Sequence, residues 1–161
     1  MAKFIFKMQN ILAVKYKLED QAKSRYGMAM TKLREEEKIL EGLQLRRNQY
    51  EMQLKEKVAD TTTGLHIMEI RQLEDAVETM KYKITIQKLA LNRAMHQVEL
   101  ARMQLDEAMK ERKTYEKLRE KAFEEFKKEV ESEERKEVDE LVSFKFRNSG
   151  ENTDDADGLA M

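Results

Sequence analysis

IRQLEDAVETMKYKITIQKLALNRAMHQVELARMQLDEAMKERKTYEKLREKAFEEF, residues 70–126, decides the fold. Placing a at 70, 77, 84, 91, 98, 105, 112, 119 and 126, and d at 73, 80, 87, 94, 101, 108, 115 and 122, gives 17 positions, of which 14 are apolar. Gln87, Arg112 and Arg119 are the exceptions. A 3.5-residue period held this long keeps one narrow stripe turned toward a partner helix, which is the coiled-coil condition. Such a helix offers no concave pocket, so a function by contact is expected.

Composition agrees. Of 161 residues 39% are charged and 40% hydrophobic, with no proline, cysteine or tryptophan. That is the composition of long helices, not of a mixed fold. Without cysteine there are no disulfides and no thiolate-ligated metals, which fits a reducing compartment. The net charge is −1, so no general attraction to nucleic acid or membrane is expected. Residues 1–60 carry 13 basic and 9 acidic side chains, whereas residues 148–161 carry 4 acidic and none basic. No stretch approaches the ~18 apolar residues of a membrane span. The opening MAKFIFKMQNILAV is broken by Lys7 and Asn10 and lacks a cleavage site, so a cytoplasmic location is expected.

Working outward, a first helical arm is predicted over 4–58. Its stripe reads Phe4, Met8, Ile11, Lys15, Leu18, Ala22, Tyr26, Ala29, Leu33, Glu36, Leu40, Leu43, Arg47, Tyr50, Leu54. Two four-residue steps fall together across Leu18, Ala22 and Tyr26, with Ala29 three residues on, and this predicts a stutter that unwinds the supercoil near Gly27. Residues 59–65 contain Thr61-Thr62-Thr63-Gly64, the one credible turn before residue 143. Two long amphipathic helices joined there fold back as an antiparallel hairpin. The second helix is predicted over 66–142, longer than the first, with an overhanging, highly charged end. The hairpin spans 1–147, and a disordered acidic tail is expected over 148–161. The fold class is all-α: a two-helix antiparallel coiled-coil hairpin with a longer second helix.

No phosphate-binding glycine loop, dinucleotide fingerprint or HExxH is present, and no cofactor is implied. His66 and His96 lie too far apart on one arm to share a metal; they read as a turn residue and a solvated residue. Paired carboxylates such as Glu124 and Glu125 lie on a polar face, and no enzyme is expected. Phe4 and Phe6 either cover the second arm near Phe123 and Phe126 or form an exposed anchor for another protein. Tyr26, Tyr50 and Tyr115 lie on the stripes as core filler. Met28, Met30, Met52, Met68, Met95, Met103 and Met109 lie off them, either as plain helix formers or as an adaptable contact surface.

The string Phe4, Phe6, Met8, Gln9, Ile11, Leu12, leading into a long charged helix, resembles the start of the flagellar export protein FliJ family. The resemblance covers about 1–142 in length, arm order and turn position. It implies a non-enzymatic stalk that resembles the central subunit of rotary ATPases. Its partners would be the hexameric flagellar export ATPase, the export gate protein FlhA and export chaperones. It implies ATPase-ring contact through the terminal end, here Phe4, Phe6, Met8, Phe123 and Phe126. It implies gate contact near the turn, here Leu43, Arg46, Arg47, Tyr50, Leu73, Ala76 and Met80. Arg46 and Met80 stand where the family pattern has an aromatic residue and a histidine. The implied location is cytoplasmic, peripheral to the membrane export apparatus, without insertion into the membrane. A generic coiled-coil scaffold or holdase is the alternative. A prefoldin-type chaperone would need a β-hairpin between the arms, and a nucleic-acid-binding hairpin a basic stripe that the interleaved glutamates spoil.

Overall fold

The computed structural model describes residues 2–60 and 66–157, with side chains through Gly150. It contains two helices, α1 over Gln9–Ala59 and α2 over Ile67–Asp157. They pack antiparallel, as the heptad pattern predicts. The chain divides into two compact units, Met1–Val14 with Glu111–Met161, and Lys15–Lys110. The turn expected at 59–65 falls largely on 61–65, outside the described residues.

In the Lys15–Lys110 unit the core is one thin layer. Ala22, Val77, Met80, Ile84, Ala94 and Ala101 are buried, and the remaining seam positions of α2 are half-buried. In α2 as a whole every predicted seam residue from Ile70 to Phe126 is buried or half-buried except Arg119. Five of the buried or half-buried seam residues here are alanines (Ala22, Ala29, Ala94, Ala101, Ala108), whose short side chains permit close approach of the two backbones. One polar layer interrupts them. Gln87 Nε2 donates to the Glu36 backbone carbonyl at 3.0 Å and to the Glu36 carboxylate, which binds the two arms at a defined register.

The first arm departs from expectation at its start. The seam of α1 runs Lys15, Glu19, Ala22, Tyr26, Ala29, Leu33, Glu36, Leu40, Leu43, Arg47, Tyr50, Leu54 and Lys57, each buried or half-buried. Steps of four and three alternate throughout, so no stutter exists at Gly27. Leu18, Ile11 and Met8, which the apolar reading put on the stripe, are exposed. Glu19 is the residue that lies inside, 4% exposed, with Lys23 Nζ at 3.5 Å among its partners. An apolar neighbour therefore lost its place to a carboxylate that fits the period. Helix α1 continues through Gly27, whose carbonyl accepts a hydrogen bond from Thr31 Oγ1 at 3.0 Å.

Two boundaries also move by more than one residue. α1 begins at Gln9 instead of Phe4, because residues 4–8 leave the helix to lay the Phe4 ring on α2. Gln9 N donates to the Phe6 carbonyl at 3.2 Å and Leu12 N to the Met8 carbonyl at 3.0 Å, turning the segment into the helix. Leu12, 1% exposed, seals that entry. At the other end α2 does not stop at Val142; the helix runs to Asp157. No proline stands in that stretch to stop it, and Ser149 Oγ donates back to the Lys145 carbonyl at 2.8 Å. Residues 158–161 lie outside the described residues.

Candidate functional site

The terminal end is built on aromatic rings. Phe4 meets Phe123 edge-on, with centroids 5.2 Å apart and planes at 75°, and meets Phe126 at 5.5 Å and 50°. Lys127 Nζ lies 5.0 Å from the centre of the Phe123 ring. Phe123 is still 41% exposed, so its ring is shared between Phe4, the Lys127 ammonium and solvent. Phe4, Phe6, Met8 and Phe126 line one open groove of about 540 Å³, edged by Lys3, Lys7, Lys121, Glu125 and Glu129. The five residues expected at this end thus converge on one patch.

The near-turn end is built differently. α2 starts with the Ile70 amide donating to the His66 carbonyl at 2.9 Å, which makes His66 the residue that opens the helix. Glu69 lies in the first turn, where the helix dipole favours an anion, and Lys57 lies in the last turn of α1, where it favours a cation. Lys57 Nζ and Glu69 Oε2 meet at 2.7 Å. The hydrogen bond and charge of Glu69 raise the Lys57 pKa, and those of Lys57 lower the Glu69 pKa. His66 Nδ1 is 3.6 Å from the same carboxylate. Tyr50, Leu73 and Ala76 line an open groove of about 670 Å³ beside this pair.

The other residues expected near the turn do not join that groove. Leu43 and Arg47 are half-buried on the seam, and Arg47 Nε is held by Glu51 Oε1 at 3.1 Å. Met80 is buried in the core, so its side chain serves the hairpin itself. Arg46 is exposed. Among the described residues no group of three His, Asp or Glu side chains is placed to hold a metal ion.

The family model described as "Flagellar FliJ protein" matches residues 4–151. The chain belongs to the FliJ family. That makes it a component of flagellar protein export. The solved structure of CT670 from Chlamydia trachomatis, described as a YscO homolog, is similar with a TM-score of 0.72 over 88% of this chain and 94% of that one, at 20% identity. At that identity the likeness speaks for the helical fold alone. No curated protein matches. No helix of this FliJ-family chain, among the described residues, is long and apolar enough to cross a membrane.

Two further surfaces stand out, the first expected from the sequence as an overhang. From Glu131 to Gly150 every residue of α2 is exposed, including Val138, Leu141, Val142 and Phe144, with Phe146 at 80%. The run Leu141-Val142-Ser143-Phe144-Lys145-Phe146 after a charged block was the available signal. The second is one edge of the Lys15–Lys110 unit, whose signal was the residue preceding each a position of the two stripes.

Proposed function

We propose that this FliJ-family chain acts as a non-enzymatic stalk in flagellar export, binding a hexameric export ATPase through its terminal end and the FlhA gate through its near-turn end. The observation that carries the reading is the convergence of Phe4, Phe6, Met8 and Phe126 on one open groove at the terminal end, with Phe123 against Phe4. Half-exposed aromatic rings beside lysines suit a ring of identical subunits, because a single stalk can dock on any of them and break their symmetry. At the near-turn end the open groove of Tyr50, Leu73 and Ala76 would meet the gate, with the Lys57–Glu69 pair fixing its width. Export chaperones are further partners, and the working place is the cytoplasmic face of the membrane export apparatus, without insertion.

The test is the hydrolysis rate of the cognate export ATPase with added full-length chain. Stimulation that a Phe4→Asp, Phe126→Asp variant abolishes, with helicity retained, is the expected result. No stimulation by the unmodified chain at saturating concentration overturns the reading.

A further inference from the structure

The corrected seam of α1 divides the Lys15–Lys110 unit into two edges of different chemistry. The residue before each a position of one arm lies beside the residue before each a of the other; Lys32, Ala90 and Gln97 line one groove for this reason. Along this edge Arg25, Lys32, Arg46 and Lys83 are basic, and Glu69, already paired with Lys57, is the one acidic residue: four basic and one acidic. The opposite edge follows each d position. It carries Lys23, Lys81, Lys88 and Arg102 against Glu37, Glu51 and Glu74: four basic and three acidic.

The difference extends to ion pairing. On the opposite edge Lys81 pairs with Glu78 at 3.4 Å, Lys23 with Glu19 at 3.5 Å and Glu51 with the seam residue Arg47 at 3.1 Å, while among the described residues no ion pair holds Lys88 or Arg102. On the basic edge no ion pair holds Arg25, Lys32, Lys83 or Arg93 among the described residues, and all four are exposed. A groove lined by Lys32 and Arg93 measures about 470 Å³, with a floor of Ala29, Ala90 and Ala94 and the side chain of Met28, 74% exposed, at its rim. Its one carboxylate, Glu36, is already engaged by Gln87. Ile39, Ile86 and Leu100 add exposed apolar area along the same edge.

The geometry points to this edge as a docking site for an acidic amphipathic helix of a partner protein. A small-residue floor accepts an apolar side chain from a third helix, an adaptable methionine closes over it, and unpaired cations on both arms meet flanking carboxylates. Charge complementarity selects this occupant, because a basic or neutral helix would leave those cations without a counter-charge. The inference does not rest on the stalk reading, since the groove shares no lining residue with the terminal or near-turn grooves.

The experiment measures binding of a labelled amphipathic peptide of about three heptads, leucine on one stripe and glutamate flanking it, to the full chain by fluorescence anisotropy. Lys32→Glu with Arg93→Glu should weaken binding by about tenfold or more, Met28→Glu should weaken it, and Lys81→Glu with Lys88→Glu on the other edge should leave it within about twofold. A peptide with lysine in place of glutamate should not bind. Equal loss from the two double variants, or no loss from the first, overturns the proposal. So does binding of phosphatidylglycerol vesicles or of a DNA duplex that the Lys32→Glu, Arg93→Glu variant abolishes while the acidic peptide fails to bind. All substituted side chains are exposed, and circular dichroism of each variant verifies that helicity is kept.

Discussion

Helix α2 holds two stretches that share a backbone conformation and little else. From Ile67 to Phe126 it presents a stripe that is buried or half-buried at every seam position but one, whereas from Glu131 to Gly150 every residue is exposed. The first stretch is helical because a seam fixes it. The second, whose run ESEERKEVDE over 131–140 is almost wholly charged, has only helix propensity and side-chain pairs at helical spacing, each worth ~0.2–0.5 kcal/mol. Helicity alone therefore says nothing about what a segment contributes to stability.

The sharpest way to break this comparison is a charge at Ile84, which is buried in the first stretch. Ile84→Asp should cost roughly 3 kcal/mol or more by thermal melting, since it loses an apolar contact and buries a carboxylate. Val138→Asp, the same chemistry in the second stretch, should stay within about 0.5 kcal/mol. Similar losses from both would show that the distal stretch is packed. Next in size, Gln87→Leu should cost about 1–2 kcal/mol, because Glu36 loses its cross-arm donor within the seam. A gain in stability would mean that the polar layer serves register at the expense of strength. Amide exchange sharpens the contrast without mutation: protection at 77–101 should exceed that at 131–150 by about a hundredfold or more.

The smallest effect concerns pH. Glu69 is lowered from its usual 4.5 by Lys57, so its contribution is present above that value and lost as pH falls through the lowered one. Lys57 is raised from its usual 10.5, so its contribution is present below that value and lost as pH rises through the raised one. Glu69→Gln should flatten both limbs of a melting-temperature profile slightly, and both groups are exposed enough that salt should do the same. A profile unchanged by the substitution would show that the pair adds nothing in solution.

How much of this was legible in the sequence varies along the chain. The stripe of α2 was readable residue by residue because apolar identity and the seven-residue period agree there. The first arm was readable from Ala22 to Leu54, and the terminal patch through its aromatics. Before Ala22 identity and period conflict: Leu18 is apolar but off the seam, while Glu19 is charged and on it. Choosing identity produced a stutter that does not exist and hid the buried carboxylate of Glu19. Period was the better guide, because a continuous helix cannot shift its face for one leucine. The start of α1 was missed for another reason. The Phe4 ring gains its contacts with Phe123 and Phe126 by leaving the helix, a tertiary choice that no local pattern encodes.

The Gln87–Glu36 layer also has a consequence for how such a chain can change length. Removing seven residues from α1 between Glu36 and the turn would keep its stripe intact yet bring Ala29 opposite Gln87, leaving the amide facing a methyl group. Removing seven from each arm on the turn side of this layer would restore the match. Insertions and deletions in this chain are thus tolerated as matched pairs, and relatives of different length should differ by whole heptads in both arms at once.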